Sequence, residues 1–94
     1  MFSKRVGLTL WGGGSRIEAS WPLAKVVVDE DGLLIKMPLI TYRIRFSEIE
    51  SLERYFIAVR IRHRAQEVPE SVTLWGWNLY ASLSEAMSKY KSEN

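Results

Sequence analysis

The sequence predicts a mainly β domain: about seven short antiparallel strands, closed by one C-terminal α-helix. Three observations lead there. Apolar and polar residues alternate through most of the chain, glycine-rich or acidic turn signals separate the alternating runs, and from Asn78 onward the apolar period changes from two to about 3.6. At 94 residues, 47% of them apolar and 26% charged, the chain has room for one hydrophobic core. Residues 1–94 therefore read as a single domain.

The first strand is Val6-Gly7-Leu8-Thr9-Leu10-Trp11, and Gly12-Gly13-Gly14-Ser15 follows it as a flexible turn. Arg16-Ile17-Glu18-Ala19-Ser20-Trp21 alternates again, and Pro22 ends it, because proline has no N–H to give a central ladder. Leu23-Ala24-Lys25-Val26-Val27-Val28 and Leu33-Leu34-Ile35-Lys36-Met37 form a hairpin around Asp29-Glu30-Asp31-Gly32. Beyond Pro38, strict alternation in residues 41–46 puts Tyr42, Ile44 and Phe46 on one face and Arg43 and Arg45 on the other.

Residues 47–51 make a polar corner. Residues 52–55 then form a short strand leading directly into Phe56-Ile57-Ala58-Val59-Arg60-Ile61-Arg62. Residues 63–70 lack periodicity and read as an exposed loop, and Ser71-Val72-Thr73-Leu74-Trp75-Gly76 is the last strand. In the helix, Leu79, Leu83, Met87 and Tyr90 share a stripe. Asn78 serves as its cap, Ser82 and Glu85 offer an alternative start, and Lys89 and Lys91 suit its negative end; residues 91–94 are expected to fray.

No cysteine is present, which excludes disulfides, thiolate metal sites and a cysteine nucleophile, and points to a cytoplasmic location. A net charge of +2, from 13 basic and 11 acidic residues, is too small to make nucleic acid or an anionic membrane an obligatory partner. No run approaches the roughly 20 apolar residues of a membrane-spanning helix, and the N-terminus lacks the apolar region of a signal peptide. No integral membrane segment is expected.

The hairpin of residues 23–37, the run from Tyr42-Arg43-Ile44-Arg45-Phe46-Ser47-Glu48-Ile49 to Glu50-Ser51, the strand at 56–62 and Val72-Thr73-Leu74 before the helix together resemble the bacterial pleckstrin-homology-like (PH-like) group. Its members carry a strand, a phenylalanine or proline, a short polar pair, and an isoleucine opening the next strand. The resemblance covers about residues 23–90, while residues 2–21 supply strands that the group places differently or lacks. It implies a bent antiparallel sheet or partly open barrel with the helix plugging one end. In function it implies a binding or assembly module, often homo-oligomeric, rather than an enzyme.

Members of the wider superfold that bind phosphoinositides hold the headgroup with basic residues around the first hairpin loop. If Asp29-Glu30-Asp31-Gly32 is that loop, its charge repels phosphate. If the loop is Gly12-Gly13-Gly14-Ser15, Lys4, Arg5 and Arg16 would surround it.

The remaining chemistry-bearing residues point to binding. The glycine run is followed by a strand and no lysine, so it is a turn and not a P-loop; the acidic turn lacks the donor spacing of an EF-hand. His63, the single histidine, ends a strand with Glu67 and Glu70 near in sequence and reads as structural. No nucleophile–base pair or cofactor fingerprint is present, so neither catalysis nor a cofactor is expected.

Arg60, Arg62 and Arg64 share strand parity and form the candidate basic face. They suit an anionic lipid headgroup or nucleic acid if they bind anything, although solubilising outward positions are the simpler reading. Of Trp11, Trp21, Trp75 and Trp77, core packing is expected for all but Trp77, which is placed at an exposed junction as a contact residue. The leading expectation is a homo-oligomer or a protein partner engaged through tryptophans and strand edges.

Overall fold

The computed structural model describes residues 2–91. Its ladder begins with β1 (Phe2–Gly12), which turns through Gly13 and Gly14 into the long β2 (Ser15–Asp29). Next come β3 (Gly32–Lys36), β4 (Thr41–Arg45), a short 3-10 turn at Phe46–Glu48, β5 (Ile49–Tyr55), β6 (Ala58–His63), β7 (Ser71–Trp75) and the helix α1 (Leu79–Lys91). All pairings are antiparallel, and the strand order β4-β3-β2-β1-β7-β6-β5 makes one seven-stranded sheet that curls into a half-barrel.

The mainly β class with a closing helix is therefore what the chain forms, but two elements differ from expectation. The runs on either side of Pro22 are one strand. β2 pairs with β1 as Val6↔Ala24 and Leu8↔Ala19, so residues 20–23 bulge out of the ladder opposite Gly7, and the missing proline N–H falls where no ladder bond is needed. Conversely, residues 52–62 do not run straight on. They reverse at Phe56 and Ile57 into the β5–β6 hairpin, with Tyr55↔Ala58 closing the turn and Phe56 at φ 51°. One fusion and one division leave the strand number unchanged.

The hairpin of residues 23–37 forms in the expected register, from Lys25↔Lys36 to Asp29↔Gly32. Gly32 is irreplaceable on two grounds: its φ is 139°, and an added Cβ would lie 2.3 Å from the Ile44 carbonyl oxygen.

Inward parity gives the core Val6, Leu8 and Leu10 from β1, Ala24, Val26 and Val28 from β2, Leu33 and Ile35 from β3, Ile44 from β4, Val59 and Ile61 from β6, and Val72 and Leu74 from β7. The helix lays Leu79, Leu83, Ala86 and Met87 over one end of this trough, with Tyr90 half-buried beside them, as the 3.6 period requires. The wholly buried core is aliphatic; Phe2, Tyr42, Phe46, Tyr80 and Tyr90 pack around it only partly buried.

At the helix start, Asn78 adopts φ 55°, and its carbonyl accepts hydrogen bonds from the Ser82 N–H (3.3 Å) and Oγ (3.0 Å). Ser82 thus sits inside the first turn and does not begin the helix. The expected fraying beyond Lys91 lies outside the described residues. In the 63–70 loop, Ala65 and Val68 are buried, so this segment is tacked down by two apolar anchors.

Candidate binding face

On the outer side of the sheet, period two turns every second residue away from the core, and the registers of β2, β1, β7, β6 and β5 arrange these residues in rows. One row reads Gly7, Trp75, Ala58, Tyr55, flanked on β2 by the bulge that carries Trp21. The second reads Glu18, Thr9, Thr73, Arg60, Glu53. The third reads Arg16, Trp11, Ser71, with Arg62 and Ser51 paired at its far end. Rings and hydrogen-bonding groups thus share one surface.

All four tryptophans are exposed: Trp11 57%, Trp21 67%, Trp75 46% and Trp77 80%. The expectation of core packing for Trp11, Trp21 and Trp75 is therefore overturned. The reason is parity: Leu8 and Leu10 take the inward positions of β1 and Val72 and Leu74 those of β7, leaving Trp11 and Trp75 outward. Trp75 does not wave in solvent. Its Nε1 donates to Thr9 Oγ1 at 3.3 Å, which draws the indole from β7 across β1. The Arg5 guanidinium donates to the Pro22 carbonyl at 3.2 Å, tying the bulge that bears Trp21 to β1.

The charges of this face are largely answered within it. Arg16 pairs with Glu18 at 2.5 Å, and Arg62 Nε stands 3.4 Å from Glu53 Oε1. That separation is an ion pair without hydrogen-bond geometry, so the enclosed Oε1 has no hydrogen-bond donor, while Glu53 Oε2 accepts from the Tyr55 hydroxyl at 3.2 Å. Arg60 has no ion pair among the described residues.

The residues expected at a site separate into three places. Arg60 and Arg62 lie together on the outer face. Arg64 has left the strand: its guanidinium donates to the Ser47 carbonyl at 3.0 Å and its N–H to that of Glu48 at 2.9 Å, bracing the corner before β5. Trp77 lies beyond β7, where its carbonyl accepts from Lys4 Nζ and its ring lines a hollow of about 150 Å³ with Arg54, Phe56 and Ile57.

The alternative first hairpin is also decided. It is the Gly12–Ser15 turn, yet Lys4 and Arg5 are bound near the other end of β1, so only Arg16 stands by it. At that end of the barrel a hollow of about 500 Å³ is lined by Gly12, His63, Arg64, Glu67 and Glu70 among others. His63 Nδ1 accepts from the Ala65 N–H at 3.0 Å and Nε2 lies 2.9 Å from the Pro69 carbonyl, an arrangement met by the Nε2–H tautomer. Both nitrogens hold the loop through its backbone. Among the described residues, no three His, Cys, Asp or Glu side chains gather to hold a metal ion, and no helix is long and apolar enough to cross a membrane.

Sequence reasoning passed over Tyr55 and assigned Trp11 and Trp75 to the core, although each alternates with inward or ladder residues and so faces outward. Compared with family models, curated proteins and solved structures, the chain matches none.

Proposed function

We propose that the chain is a non-catalytic binding and assembly module of the PH-like superfold, which self-associates through the outer face of its sheet. The observation that carries this reading is the placement of all four tryptophans outside an aliphatic core, with Trp11, Trp21 and Trp75 on the same outer face of the sheet as Tyr55. Indoles are the side chains that contribute most to protein contacts, and exposing them without a partner is costly in solubility. The membership draws its support from the strand–helix order and from the helix covering one end of the curled sheet.

Two other routes receive less support. The free sheet edges are β4 and β5, and their charged residues Arg43, Arg45, Glu50, Glu53 and Arg54 oppose edge-to-edge pairing. Phosphate recognition by the arginine face, of lipid or nucleic acid, needs several free cations, and with Arg16 and Arg62 paired it retains Arg60.

Light scattering across micromolar concentrations tests the proposal. The mass is expected to rise with concentration, to persist largely in high salt, and to fall to that of one chain in Trp11→Ser plus Trp21→Ser. A strictly monomeric wild type overturns it. Salt-sensitive binding to anionic vesicles or single-stranded DNA, abolished in Arg60→Glu plus Arg62→Glu, would favour phosphate recognition instead.

A further inference from the structure

The second row of the outer face has a symmetry that its neighbours lack. Glu18 on β2 and Arg60 on β6 stand at equal distances from the line between β1 and β7, with Thr9 and Thr73 between them. We infer that a second copy docks face to face about a two-fold axis parallel to the strands on that line, pairing Glu18 of each copy with Arg60 of the other and stacking the two Trp75 indoles at the axis. This rests on the self-association reading above and specifies its geometry.

An axis in this position lays β1 of one copy over β7 of the next and β2 over β6, with no shift along the strands. Thr9 then faces Thr73, Trp11 faces Ser71, and Glu18 faces Arg60 twice, once on each side. Two alternative two-folds fail on charge. An axis along the row would set Glu18 on Glu18 and Arg60 on Arg60; an axis along β7 would set Glu18 on Glu53. Arg16 and Arg62 do approach each other across the chosen axis, but each keeps its own carboxylate, Glu18 and Glu53 respectively. Arg60 has no ion pair among the described residues, and the second copy supplies one.

Trp75 fits the same axis. The bond from its Nε1 to Thr9 Oγ1 swings the ring over the β1–β7 boundary, where the two-fold brings its counterpart. The area is adequate for a modest dimer. An aromatic side chain offers about 150–250 Å², and with Trp11, Trp21, Trp75 and Tyr55 each about half exposed the rings supply roughly 400 Å². That is about half of the ~800 Å² per partner of a standard interface, the threonines, serines and charged rows providing the rest.

Charge reversal tests the register. In Glu18→Arg alone or Arg60→Glu alone, both contact points of a homodimer carry like charges, so association is expected to weaken by about tenfold or more. In an equimolar mixture of the two variants each mixed pair carries opposite charges at both points, and the dimer mass is expected to return. Arg60→Gln, which removes charge without reversing it, is expected to weaken association less than Arg60→Glu. Matching circular dichroism and melting curves establish that the variants fold. If the wild type associates while either reversal leaves it unchanged, or while the mixture stays monomeric, this register is overturned and self-association by the face still stands. A monomeric wild type overturns both.

Discussion

Asp29 does two jobs with one carboxylate. Its Oδ1 accepts the N–H groups of Asp31 (2.9 Å) and Gly32 (3.2 Å) to shape the hairpin turn, while Oδ1 and Oδ2 together receive the Arg43 guanidinium at 2.9 and 3.1 Å. The hydrogen bond from Arg43 is the main reason its carboxyl titrates below the ordinary 3.8, with partial burial opposing and the two turn N–H groups assisting. A folded value below the unfolded one means that the ionised carboxylate adds stability above pH 3.8 and loses it as pH falls through the folded value. Urea denaturation should therefore find wild type more stable than Asp29→Asn by a constant margin near neutrality, a margin that closes below pH 3.8. With side chains 26% and 34% exposed, the pair is expected to contribute under about 1 kcal/mol. A margin that does not change with pH would dissociate the turn from the ion pair. The turn was readable in the sequence because Asx turns and a closing glycine are local; the Arg43 link, which spans two strands, was not.

At the scale of elements, proline and phenylalanine exchanged the roles that propensity assigns them. Pro22 looked like a strand end and is carried inside β2 by the bulge, whereas Phe56 looked like mid-strand and is the turn. Alternation locates strands well, but it cannot see a register shift, which depends on the facing strand, nor a tight turn made without glycine, asparagine or proline. Phe56 sits at φ 51° with 97% of its surface exposed, a conformation that costs a bulky L-residue about 1–2 kcal/mol and that no burial of the ring offsets. Phe56→Asn is accordingly expected to raise stability by about 0.5–1 kcal/mol in urea titration, since asparagine tolerates this region. A destabilised variant would mean that the ring makes contacts on which the hairpin depends.

For the whole molecule, the fold class and the aliphatic stripe of α1 were legible because both follow from periodicity, which needs no knowledge of partners. The tryptophan-bearing outer face was not read, because hydrophobicity alone sends tryptophan inward and the signal that turns it out lies in the identity of its strand neighbours. Arg60 and Arg62 were placed by that same parity, while Arg64 was lost to a strand that ends one residue earlier, at His63. The division between an aliphatic inside and an indole-bearing outside also determines what light this protein gives back. With every tryptophan in contact with water, the emission of the folded monomer should already sit near that of the unfolded chain, so denaturant should scarcely move it although circular dichroism records a full transition. If the outer faces meet as proposed, raising the protein concentration should shift it to the blue and shield it from acrylamide, and the intrinsic fluorescence would then gauge company rather than folding.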